Sequence, residues 1–158
     1  MLIQMNGSVT LSASVEEKIE VSGNFSADCD MEANQIKLRG NMQFHNLFAE
    51  QIDLAGKVNG DHLKGKNVVV QISNPSILTA IEADDVIIRL EHEETCQDYN
   101  SLQLTLKKIS CKTADIENVH CDTIQADKLI VRGKSIIGTV DCLSIQKDEI
   151  SIIKKQIH

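Results

Sequence analysis

The chain has few aromatic side chains from which to build an ordinary core: of 158 residues, none is Trp, one is Tyr and three are Phe. Globular interiors lean on such large anchors, whereas a narrow tube lined by stacked aliphatic side chains has little room for them. Proline is as scarce, with Pro75 alone, and nowhere do 18 apolar residues run together, which excludes a spanning helix. Basic residues are outnumbered, 16 Lys and Arg against 23 Asp and Glu, so the net charge of −7 argues against a nucleic-acid partner. The five cysteines, Cys29, Cys96, Cys111, Cys121 and Cys142, form an odd set without a CxxC pair. Neither a disulfide framework nor a zinc ribbon is suggested, and reduced, mostly buried thiols are expected. The N-terminus lacks a basic leader followed by an apolar stretch, so the expected location is cytoplasmic. No GxGxxG or GxxxxGK[ST] phosphate loop is found, and no cofactor is expected.

What is present is a repeat. The phrase apolar-x-apolar-x-Gly recurs as Ile3-x-Met5-x-Gly7, Ile19-x-Val21-x-Gly23, Ile36-x-Leu38-x-Gly40 and Ile52-x-Leu54-x-Gly56, with the glycines 16, 17 and 16 residues apart. It continues without glycine at Val68-x-Val70-x-Ile72 and Val86-x-Ile88-x-Leu90, then returns at Leu129-x-Val131-x-Gly133. A small residue stands three positions ahead of several copies, at Ala33, Ala49, Gly65, Ala83 and Ala126, marking a tight corner. Alternation with period two is the strand signal, and the intervening Lys37, Arg39, Asp53 and Lys57 would point to water.

A lone hairpin of such strands could not hide its apolar face. Stacking each coil on the one before, at about 4.8 Å per layer, buries the inward positions as a continuous column. The fold class expected is therefore all-β: a single-stranded β-helix, or solenoid, of nine or ten coils of 16–18 residues, forming one domain over 1–158. A loop excursion is expected at 91–101, where the alternation lapses, and the strand signal weakens again from Ala114 to Thr123. The segment from Asp148 to His158 fits a strand through Ile150-x-Ile152 and one helix face through Ile150, Ile153 and Ile157; the strand is preferred.

With rungs such as IKLRG, IDLAG and ADKLIVRG and no enzymatic motif, the chain resembles the bactofilins, polymer-forming cytoskeletal proteins of bacteria. The stretch from Cys121 to Gly133, with Ile124, Ala126, Asp127, Leu129 and Val131 between, is similar in style to Firmicutes members. The resemblance implies a right-handed β-helix that polymerises through its coil ends without nucleotide. It further implies a scaffold for cell-shape, envelope or motility structures.

Physics points to assembly independently. End coils of a solenoid expose unpaired backbone and the apolar cross-section unless a cap covers them. Neither end shows a clear polar cap in the sequence, so Leu2, Ile3 and Met5 at one end and Ile150, Ile152 and Ile153 at the other are the candidate self-assembly residues. Blunting by Lys154 and Lys155 is the competing account. The expected partner is the chain itself, with other scaffold or envelope proteins beside it and membrane contact at most peripheral.

Catalytic and metal-binding residues are not expected. His120 beside Cys121, with Cys111 ten residues earlier, is the one grouping like metal ligands, and it lacks the tight pair zinc favours. The acidic pairs Glu16-Glu17, Asp84-Asp85 and Glu93-Glu94 lack an aromatic-lined cleft to hold a sugar chain. A hexapeptide-repeat acyltransferase would need 18-residue coils with [LIV]-G at every sixth position, and Ile137-Gly138 alone resembles that. A β-helix that binds another protein along one flat face, without polymerising, is the alternative reading.

Overall fold

The computed structural model describes residues 2–11, 14–90 and 103–157, with side chains from residue 17 onward. Its strands are β1 (Leu2–Leu11), β2 (Ser14–Ala27), β3 (Met31–Gln43), β4 (Asn46–Asn59), β5 (His62–Ile72), β6 (Ser76–Ile77) and β7 (Ala80–Glu82). The remainder are β8 (Asp85–Leu90), β9 (Leu104–Ser110), β10 (Thr113–Glu117), β11 (Val119–Arg132), β12 (Ile136–Lys147) and β13 (Ile152–Gln156). Every strand pairing is parallel, between one turn and the next, and together they wind a β-solenoid of about eight turns.

The repeat phrase sets the register. Ile3, Ile19, Ile36, Ile52, Val68, Val86, Ala114, Leu129 and Ile145 follow one another up one row. Met5, Val21, Leu38, Leu54, Val70, Ile88, Ile116, Val131 and Lys147 form the row two residues on. From Ile19 to Leu129 and from Val21 to Val131 these residues are buried, as expected for alternation with one face inward. Lys37, Arg39, Asp53 and Lys57 are half-buried or exposed on the outer face. Dividing the length by the period gives nine or ten coils; the step from Val86 to Ala114 takes 28 residues. The expected excursion at 91–101 falls outside the described residues.

The corners follow from backbone chemistry. Gly23, Gly40 and Gly56 have φ of 114°, 113° and 129°. A Cβ on Gly40 would lie 2.0 Å from the Gly23 carbonyl oxygen, so the stacked corner leaves no room for a side chain. Further along, Asn118 at φ 53° and Gly133 at φ 67° turn the same corner. This explains why the strand signal faded between Ala114 and Thr123 although β10 and β11 cover most of that stretch: the corner glycine is an Asn there. The small-residue corner is also real. Ala33, Ala49, Ala83 and Ala126 are buried, Ala49 pairs with Gly65, and Ala126 is flanked by Cys142 one turn above.

Where the tube carries polar groups inward, they are hydrogen-bonded. Ser76, Ser135 and Ser151 are buried, and their hydroxyls accept the amides of Val58, Val119 and Ser135, 2.9–3.1 Å away on the neighbouring turn. The C-terminal segment is a strand, β13, as preferred, stacked on β12 through Ile136↔Ile152 and Ile137↔Ile153.

Candidate functional site

Two surfaces stand out, the face of the last turn and one flat side of the tube. The last turn runs through the end of β12 and β13, and among the described residues β13 has β12 as its strand neighbour. The opposite edge of its backbone therefore carries N–H and C=O groups facing away from the stack. On this last turn Leu143, in β12, is 81% exposed, Ile150 56%, Ile152 52% and Ile157 54%. Ile153 and Ile145 are half-buried against the core below.

The candidate residues thus divide between the two ends. Ile150, Ile152 and Ile153 are brought together on the last turn. At the other end Ile3 and Met5 occupy the register of the buried Ile19 and Val21, while Leu2 lies in the register of Lys18. Leu143 and Ile145 were not foreseen, and Ile157 was considered only as part of a helix face, although adding one 16-residue period to Leu129 reaches Ile145.

The last turn is also less bare than the sequence suggested. The register positions that lower turns fill with Val131, Ser135 and Val140 are here Lys147, Ser151 and Gln156, of which Lys147 and Gln156 are exposed on this last turn. Lys147 Nζ donates to the Asp148 carbonyl at 2.9 Å and to the Ser151 carbonyl at 2.8 Å. The Asp148 carboxylate accepts the amides of Gly133 at 2.8 Å and Ser151 at 2.9 Å. Partial desolvation pushes its pKa up, but the hydrogen bonds from Ser151 and Gly133, with the Lys147 charge, prevail and hold it below the usual carboxylate range. Lys154 and Lys155, the cations considered as blunting groups, are exposed on β13.

The flat side is formed by β5, β8, β10 and β11. Val69, Ile87 and Ile130 face outward there and line a shallow groove of about 500 Å³ with Asn67, Asp85 and Lys128 at its rim. Asp115 stands between Ile87 and Ile130 in the same row. It is gripped from both sides. Arg89 reaches it at 2.9 and 2.6 Å and Arg132 at 3.1 and 2.9 Å, each in bidentate fashion.

The remaining candidates do not converge. Cys121 points into the tube and donates to the Thr123 carbonyl at 3.2 Å, while its neighbour His120 is half-buried in the register of Thr105 and Ile136. Cys111 lies on the small-residue corner beside Ala126. Among the described residues no group of three or more His, Cys, Asp or Glu is arranged to hold a metal. Burial pushes the Cys111 and Cys121 thiols up to about 12. Asp84 pairs with Lys112 at 3.5 Å, and Asp85 accepts the Thr113 hydroxyl. Glu93, Glu94, His92, Cys96 and His158 lie outside the described residues, as does the Glu16 side chain.

Among the described residues no helix is long and apolar enough to cross a membrane. No protein-family model, no curated protein and no solved structure matches the chain.

Proposed function

We propose that this chain is a self-assembling scaffold protein that polymerises through its solenoid ends without nucleotide. The observation that carries the reading is the last turn: a strand edge on a turn that also holds Leu143, Ile150, Ile152 and Ile157, each more than half exposed. Parallel stacking is how every turn of this tube is stabilised, so a further turn laid on that edge continues the same interaction. Four exposed aliphatic side chains on one turn favour a contact there. The resemblance to the bactofilins supports the same reading, and with it a right-handed coil, a cytoplasmic location and a role in cell-shape, envelope or motility structures.

The test is electron microscopy and sedimentation of the purified chain across a range of concentrations, without nucleotide. Concentration-dependent filaments are expected, and Ile152→Lys or Ile3→Lys should give monomers with unchanged circular dichroism. Discrete particles at all concentrations would overturn the reading. Unchanged filaments in both variants would move the contact away from the ends.

A second reading rests on the groove over Val69, Ile87 and Ile130. A tube that binds another protein along this side, without polymerising, would lose that partner on Ile87→Lys and keep it on Ile152→Lys.

A further inference from the structure

Lys147 stands where an apolar residue belongs. Its register row holds Val21, Leu38, Leu54, Val70, Ile88, Ile116 and Val131, every one buried. At the last turn the row ends in an ammonium group that reaches across the corner to the carbonyls of Asp148 and Ser151.

One of those carbonyls has a counterpart one turn below. Ser135 O accepts the amide of Ile152 at 2.8 Å, which is how β13 is attached to the stack. Ser151 lies one turn above Ser135, its hydroxyl accepting the Ser135 amide at 3.1 Å. By the repeat, Ser151 O is the acceptor that the first amide of an added turn would take, and Lys147 Nζ already holds it at 2.8 Å.

Resting on the end-to-end reading above, we propose that Lys147 is a displaceable stopper that competes with an incoming turn for the end of the tube. Laying a second copy over the last turn would bury this ammonium in an aliphatic row, which strongly disfavours an unpaired ion. The side chain must instead swing outward and release its carbonyls before the new turn can seat. Assembly is thereby raised to a higher threshold concentration without any change in the apolar contacts that drive it.

The experiment compares the wild-type chain with Lys147→Met, which keeps the stem and removes the donors, and with Lys154→Met, an equal charge change on the exposed side of β13. Sedimentation gives the critical concentration of each, and thermal melts check the fold. K147M should lower the critical concentration about tenfold while K154M leaves it unchanged, since the added turn then has no charged hydrogen bond to the Ser151 carbonyl to displace. K147Q should move in the same direction as K147M and serves if K147M does not fold. If wild type and K147M assemble alike, the stopper is overturned and the scaffold reading stands. If K147M assembles where wild type does not, the stopper stands and the wild-type chain is not by itself a polymer. If neither assembles, both fall.

Discussion

The ring of Phe44 occupies the space that a side chain on Gly60 would need: a Cβ at Gly60 would lie 2.1 Å from Phe44 Cε2. The two residues stand one turn apart, and the large one is accommodated by the absence of the other. Gly60→Ala should therefore destabilise the fold by about 1–3 kcal/mol through overpacking. Combined with Phe44→Leu, which vacates part of that space, it should cost less than the sum of the single changes. A double-mutant cycle by chemical denaturation checks this, and strict additivity would show that the ring moves aside freely.

The corner glycines separate two kinds of constraint. At Gly40 the φ of 113° and the Gly23 carbonyl at 2.0 Å act together, and the obstacle is backbone. At Gly133 the φ of 67° is left-handed helical, and the nearest obstacle is the Asn118 side-chain oxygen at 2.6 Å. Gly133→Ala should cost about 1–2 kcal/mol, the usual penalty of that conformation for an L-residue. Gly40→Ala should cost distinctly more and disturb the stacking of β3 on its neighbours. Equal losses in thermal melts would contradict this ranking.

The stacking rows were legible in the sequence because they are written in it directly. Ile19, Ile36 and Ile52 recur at the period of the coil, with glycine at a fixed offset, and alternation says which face is inward. The step from Val86 to Ala114 was not legible, since a turn of 28 residues breaks the count. Asn118 hid a corner by substituting for glycine at positive φ. Contacts such as Arg89 with Asp115, 26 positions apart, depend on that step and could not be read from spacing. Of the end face, Ile150, Ile152 and Ile153 were visible as apolar residues near a terminus, whereas nothing in the sequence pattern singles out Lys147. Its place in a buried row is evident once the register from Val131 is known.

The thiols give a pH-dependent prediction. Cys111 and Cys121 are raised to about 12 by burial, from an ordinary value of 9.0. A raised acid in the folded state contributes stability that is complete below the unfolded value. That contribution is lost as pH climbs through the interval up to the folded one. The chain should thus lose stability between about pH 9 and pH 12, and a C111A/C121A variant should show a shallower loss there. At pH 8 the same two thiols should resist alkylation until denaturant is added. Rapid labelling of either in the native protein, read by mass spectrometry, would contradict the burial argument.

Asp115 links the stretch before residues 91–102 to the stretch after it. Arg89 is the penultimate residue of β8, Asp115 lies in β10 and Arg132 closes β11, so the paired forks tie three successive turns on the outer face. Backbone ladders already join these turns, and the carboxylate adds charge-assisted bonds at a site where its side chain is 23% exposed. An exposed ion pair is worth less than 1 kcal/mol, a buried one leaves a costly orphan when broken, and this site lies between the two. Asp115→Asn should cost about 1–2 kcal/mol, because the two guanidinium groups then face one another without the carboxylate. The loss should shrink at 1 M salt, where such repulsion is screened beyond about 3 Å. Amide exchange should quicken most in β8 and β10, the strands that meet across the 28-residue step between Val86 and Ala114. A uniform increase along the whole tube would mean that the clamp merely adds to global stability; a local one would mean that it closes the 28-residue step between Val86 and Ala114.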